Sequence, residues 1–164
     1  MMSKSPVRAC IGLGSNMPSG DLDPAGCIER AIEALGTTPR TELIARSSLH
    51  RTAPVGVVDQ PEFINACSVV ETCLEPLELL GALLGIERAF GRDRVRERRW
   101  GPRPLDLDLL VYGECVVDEP GLTVPHPRMS EREFVLAPLA EIASDVRVPG
   151  TGATVRELLG LLSR

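Results

Sequence analysis

The stretch Leu105-Asp106-Leu107-Asp108-Leu109-Leu110-Val111 constrains this chain more than any other. Apolar and charged residues alternate with period two, and a β-strand separates such residues onto opposite faces. Leu105, Leu107 and Leu109 then enter a core, while Asp106 and Asp108 project together from the other side. Their Cα atoms stand about 7 Å apart in a strand. At an effective dielectric near 20, two bare charges at that distance repel by about 2 kcal/mol. Water, an arginine partner or a divalent cation can offset this. Carboxylate oxygens suit Mg²⁺, which completes its shell from waters and phosphates. A merely solvated strand face is the plain alternative, and a D-x-D pattern alone does not decide between them.

The elements around that strand give it a setting. Residues 7–11 read as a strand running into a turn, Gly12-Leu13-Gly14-Ser15-Asn16. The turn lacks the third glycine of a dinucleotide fingerprint. Asp23-Pro24 reads as an N-cap with proline at the first helical position, Ile28, Ala31, Ile32 and Leu35 form one apolar stripe, and Gly36 ends the helix. Residues 41–51 and 63–72 read as strands, the second placing Phe63, Asn65, Cys67 and Val69 on one face. Pro76 opens a helix with Leu79, Leu83, Ile86 and Phe90 inward and Gly91 as its stop. Residues 105–112 form a strand, 114–117 its hairpin partner, and 122–127 an extended run bounded by prolines. Ser130-x-x-Glu133 and Thr154-x-x-Glu157 read as capping boxes that open two more helices. The order β-α-β-β-α-β predicts an α+β, ferredoxin-like fold, a mostly antiparallel sheet with helices packed on one face.

The 164 residues, 43% of them hydrophobic, suffice for one domain over residues 1–164. A net charge of -5 disfavours general nucleic-acid binding. An RNA-recognition sheet would also need aromatic RNP strands, and none is present. Five cysteines with no C-x-x-C pair argue against a disulfide framework or a zinc ribbon, and read as free thiols in a reducing compartment. Residues 1–6 carry one lysine and no long apolar run, unlike a signal peptide, and no apolar stretch reaches membrane-spanning length. The expectation is a cytoplasmic monomer with small-molecule substrates and no nucleic-acid or membrane partner.

Within this acidic chain one segment is strongly basic. Arg88, Arg92, Arg94, Arg96, Arg98, Arg99 and Arg103 fall within sixteen residues without a lysine. The planar guanidinium grips phosphate oxygens in pairs. The segment ends at Trp100-Gly101-Pro102-Arg103-Pro104, directly before the aspartate strand. A polyanion site beside a cation site is the inventory of phosphoryl transfer. His126, in Val124-Pro125-His126-Pro127, is aimed by its flanking prolines, although taken alone it reads as a surface histidine.

The stretch from Arg98 to Asp108 closely resembles the signature of the 6-hydroxymethyl-7,8-dihydropterin pyrophosphokinase family. So do Leu122 to Met129 with Arg132 and Phe134, Gly14-Ser15-Asn16, Arg51 to Gly56, and Gln60 to Ala66. The resemblance implies ATP as donor, AMP as leaving product, two Mg²⁺ ions and a place in folate synthesis. It implies that Asp106 and Asp108 hold the metal and that Arg92 and Arg103 act in catalysis. It assigns Glu87, Arg94, Arg96, Trp100, Arg103, Leu109, Thr123, His126 and Arg132 to ATP. Thr52, Ala53, Pro54, Val55, Phe63, Asn65, Trp100 and Phe134 go to the pterin. The loop from Gly91 to Trp100 is one residue longer than usual, so Arg94 and Arg96 compete for one position. Ala53, Phe63, Leu84, Gly121 and Pro127 also depart from the common pattern.

Overall fold

Strand β1 (Val7–Ser15) forms the middle of the sheet in the computed structural model, which describes residues 4–54, 56, 59–92 and 101–163. It pairs antiparallel with β4 (Phe63–Thr72) on one side and β5 (Asp106–Tyr112) on the other. β2 (Thr41–Arg46) and the short β3 (His50–Thr52) follow one another along the outer edge of β4. Helices α1 (Pro24–Gly36) and α2 (Pro76–Ala89) connect the strands, and the sheet order β2-β4-β1-β5 is the ferredoxin-like arrangement.

Local chemistry sets several boundaries. Asp23 caps α1 by accepting from the Gly26 N–H at 2.8 Å, with Pro24 at the first turn. Gly91 follows α2 at φ +84, a conformation open to glycine. The apolar stripes of α1 and α2 join Ile11, Leu13, Ile64, Val70, Leu107 and Leu109 in one core.

Four expectations need correction. The helices cover both faces of the sheet, because α3 (Glu133–Ala143) and α4 (Val155–Leu162) bury a second core with Cys10, Val69, Leu110 and Val111. The 41–51 strand is broken at Ser47, whose N–H donates to the Cys67 carbonyl and whose hydroxyl accepts from the Cys67 N–H. The hairpin partner of β5 is not 114–117. Instead β6 (Val117–Glu119) pairs with β7 (Leu122–Val124), a hairpin that buries Leu122 and Val124 in the first core. Ser130 does not cap a helix. It lies in a 3₁₀ turn, Met129–Glu131, which sinks Met129 into the second core, and α3 starts from Arg132. Thr154 does cap α4, accepting from the Glu157 N–H at 3.2 Å, beside the small β8 (Arg147–Val148) and β9 (Ala153–Thr154) pair.

Candidate active site

One stretch of the α3-side face is left uncovered, and the sheet register decides what it displays. Two rows cross it. Asn65, Gly14 and Asp106 are lateral neighbours, and so are Cys67, Gly12 and Asp108. The middle position of each row is glycine, so the floor is a trough with carboxylates on one bank and Asn65 on the other. A Cβ on Gly14 would stand 3.0 Å from Asn65 Oδ1. Gly12 and Gly14 therefore belong to strand β1 and not to a turn. Flanking Ile11 and Leu13 are buried in the first core, and pairing on both edges overrides glycine's weak strand preference. A bulge then places both Leu110 and Val111 on the α3 side, where Asp108 gives way to apolar cover.

The trough opens into a cleft of about 660 Å³ lined by Phe63, Asn65, Arg92, Arg103, Asp106, Asp108, His126, Arg132 and Phe134, with Thr52 and Ala53 at its wall. Asn65 Nδ2 donates to Thr52 Oγ1 at 2.5 Å, which ties the β4 and β3 sides of that wall together. The Arg132 guanidinium lies 5.6 Å from the Phe134 ring centroid. A second cavity of about 520 Å³ shares Asp108, His126 and Pro127 with the first and is otherwise mostly aliphatic, with Leu80, Leu84, Leu109, Leu122 and Thr123. The two cavities thus meet at Asp108 and His126.

Charge is concentrated at that junction. Burial, and then the charge of Asp106, pushes Asp108 up to about 7, while Arg132 and Arg92 pull the other way. Burial, reinforced by Arg132, holds His126 below the usual histidine range, and its Nδ1 accepts from the Arg128 N–H at 3.2 Å. Arg92 donates to Asp106 Oδ1 at 2.6 Å. Arg103 Nη1 lies 3.4 Å from Asp106 Oδ2, and its buried Nε finds no acceptor among the described residues. Two aspartates on one strand face, one poorly charged without help, suit a divalent cation. The arginines and the buried Nε–H suit a polyanion.

Most of the sequence-predicted residues converge here. Glu87 and Pro54 line neither cavity. Glu87, expected among the ATP contacts, is buried behind β5 and accepts from the Leu107 N–H at 2.7 Å and from Arg92 at 2.9 Å. Val55, Arg94, Arg96 and Trp100 lie outside the described residues. The structure adds Asn16, which is 1% exposed. Its Oδ1 accepts from the Arg103 N–H at 2.9 Å, and its Nδ2 donates to Gln60 Oε1 and the Pro61 carbonyl. It pins the approach to Arg103 to the end of β1. In the sequence Asn16 stands out only within the Gly14-Ser15-Asn16 match to the family, with no role attached to it.

Residues 10–144 match the model of the 7,8-dihydro-6-hydroxymethylpterin-pyrophosphokinase (HPPK) family. The chain is similar to the 2-amino-4-hydroxy-6-hydroxymethyldihydropteridine pyrophosphokinase of Pseudomonas aeruginosa, 46% identical across 93% of this chain and 90% of the relative. It is 47% identical to the protein of the same name from Methylorubrum extorquens, across 95% of this chain and 94% of that one. A crystal structure of wild-type Plasmodium falciparum HPPK-DHPS with pteroate superposes with a TM-score of 0.73 at 14% identity, covering 98% of this chain. The present chain spans 43% of that longer one, and the likeness bears on the fold.

Proposed function

This chain belongs to the 7,8-dihydro-6-hydroxymethylpterin-pyrophosphokinase family, and from that premise we infer that it transfers pyrophosphate from ATP to 6-hydroxymethyl-7,8-dihydropterin, releasing AMP, in folate biosynthesis. The observation that carries the reading is the pair of cross-sheet rows, which set two carboxylates and an amide on opposite banks of one glycine trough.

On this reading the flat pterin lies over the trough between Phe63 and Phe134, with Asn65 addressing its polar edge. The nucleoside occupies the aliphatic cavity beside Leu109 and Thr123, so the phosphates cross the junction at Asp108 and His126. Asp106 and Asp108 would hold the Mg²⁺ ions, two on this reading, which when bound would draw charge from the transferring group. Arg103 and Arg132 add fixed positive charge from the cleft wall, and neutral His126, its Nδ1 accepting from the Arg128 N–H, offers its Nε2–H as a donor without adding repulsion. The pterin hydroxymethyl oxygen forms a bond to the β-phosphorus, the bond to the AMP oxygen breaks, and the hydroxyl proton passes to solvent. The described residues supply positioning and electrostatics, which suit this chemistry. Arg92 and whichever of Arg94 and Arg96 reaches the phosphates complete the cationic side, with Trp100 beside both substrates. The whole 164-residue chain acts as one catalytic domain, a cytoplasmic monomer acting on small molecules. No helix among the described residues is long and apolar enough to cross a membrane.

The test is product analysis. With ATP, hydroxymethyl-dihydropterin and varied Mg²⁺, chromatography should show AMP and diphosphorylated pterin in equal amounts. Free pyrophosphate with an adenylylated acceptor would overturn the reading in favour of nucleotidyl transfer.

A further inference from the structure

Asp106 already touches a cation. Arg92 is 7% exposed, and one nitrogen, Nη1, donates to Asp106 Oδ1 at 2.6 Å, to Glu87 Oε2 at 2.9 Å and to the Leu105 carbonyl at 3.2 Å. Glu87 cannot yield easily. It is 1% exposed, and the same Oε2 accepts the Leu107 N–H at 2.7 Å, locking it to the strand residue between the two aspartates. A buried carboxylate keeps its counterion, since removing one partner strands the other charge away from water. The other oxygen of Asp106 faces Arg103 at 3.4 Å. A divalent ion arriving at Oδ1 meets the guanidinium nitrogen already there, and their like charges repel across only a few ångströms of poorly screened space, so the two compete for that oxygen.

We propose that Arg92 is the resident cation of the metal site: in the nucleotide-free protein it occupies Asp106, anchored by Glu87, and an entering divalent ion displaces it. The proposal rests on the reading that Asp106 and Asp108 bind the ions, and it adds a competition that reading does not contain. Divalent metal alone then binds weakly. Metal arriving with a triphosphate binds well, because phosphate oxygens offer the displaced guanidinium a new partner. Glu87 keeps Arg92 within reach throughout and touches no substrate itself.

The experiment is titration of the full-length protein with Mn²⁺ without nucleotide, following free Mn²⁺ by electron paramagnetic resonance. Arg92→Ala should tighten Mn²⁺ binding by about tenfold or more. Arg92→Gln, which keeps volume and can still donate to Glu87, should tighten it similarly and guards against a folding defect in the smaller variant. Arg128→Ala, which removes a positive charge from the cleft rim, should change the affinity by less than about threefold. Affinities within about twofold of the parent for both Arg92 variants would overturn the proposal, as would equal tightening by Arg128→Ala. Asp108→Asn separates the two claims. If it weakens Mn²⁺ binding while the Arg92 variants do nothing, the aspartate site stands and the competition falls. If it leaves Mn²⁺ binding intact, the aspartate site itself falls, and the competition with it.

Discussion

Beneath α1 and α2 the sheet is mainly apolar along its length, interrupted by the buried hydroxyls of Ser15, Ser68 and Thr72, whereas beneath α3 and α4 it is apolar only as far as Cys67 and Leu110. Beyond those residues the second face carries Asn65, two glycines and two aspartates, with charged groups where a core would otherwise continue. The same strands build both faces, and each Leu107 or Leu109 that enters the first core fixes an Asp106 or Asp108 pointing into the cleft. The covered face supplies the stability, and the open stretch spends some of it on unfavourable charge and missing side chains. Stability and chemistry are therefore separable by face, though not by strand.

That separation can be broken from the covered side first. Leu83 is fully buried against the first core, and Leu83→Ala should cost about 3 kcal/mol in denaturant unfolding. Turnover well below the midpoint should stay within about twofold of the parent. A large loss of turnover in a folded Leu83→Ala sample would show that the faces are coupled.

The open side should behave in the opposite sense. Asp108 is pushed up to about 7 in the folded protein, from an ordinary value of 3.8. The folded state therefore holds a proton that the unfolded chain gives up. Its stabilising contribution is full below about pH 4 and is lost as the pH rises through 7. Asp108→Asn needs no such proton. It should stabilise the ligand-free protein by about 2 kcal/mol at pH 8, a figure discounted for partial solvation, and by little at pH 4. Equal effects at both pH values would contradict the assignment. A smaller effect, on substrate binding, is expected at the trough. Gly14→Ala brings a methyl group to 3.0 Å from Asn65 Oδ1 and should raise the pterin KM about tenfold with little change in melting temperature.

The smallest effect lies away from both faces, at the sheet edge. Glu141 accepts from Ser48 and is paired with His50 at 2.6 Å, and the His50 hydrogen bond is the main cause holding its carboxyl below the usual range. A depressed carboxylate contributes stability above its unfolded pKa and loses it as the pH falls through the folded value. Glu141→Gln should cost at most about 0.5 kcal/mol near pH 6.5 and nothing below pH 3, by melting in matched buffers.

How much of this was legible in the sequence differs by element for physical reasons. The spans of α1 and β4 came out as observed, because Asp23-Pro24 is a chemical start signal and the 63–72 run is bounded by proline at one end and Pro76 beyond the other. The alternation at 105–109 also announced the aspartate face directly. Gly12 and Gly14 misled, because glycine signals a turn locally, and only pairing with β4 and β5 reveals the trough. The 114–117 segment misled because hairpin chemistry at Gly113 says nothing about which edge the next strand prefers. Burial of Leu122 and Val124 decided it. Helices on the second face were hidden too, since a half-apolar sheet face looks solvated until α3 and α4 cover it. At the site, Glu87 was placed with ATP on resemblance, and its position behind Arg92 depends on a tertiary contact between α2 and β5 that no local pattern encodes.

The central claim is that the two acids of β5 bind the metal-bearing triphosphate, Asp108 doing so against the stability of the fold. The most direct test measures AMP formation by Asp106→Ala and Asp108→Ala at saturating Mg²⁺ and both substrates, alongside their melting temperatures. The account predicts turnover reduced by about a thousandfold in each, with a melting temperature at or above the parent's for Asp108→Ala, whose burial opposes its charge, and a lower one for Asp106→Ala, which takes a partner from the buried Arg92. Turnover near the parent's in either folded variant would contradict it.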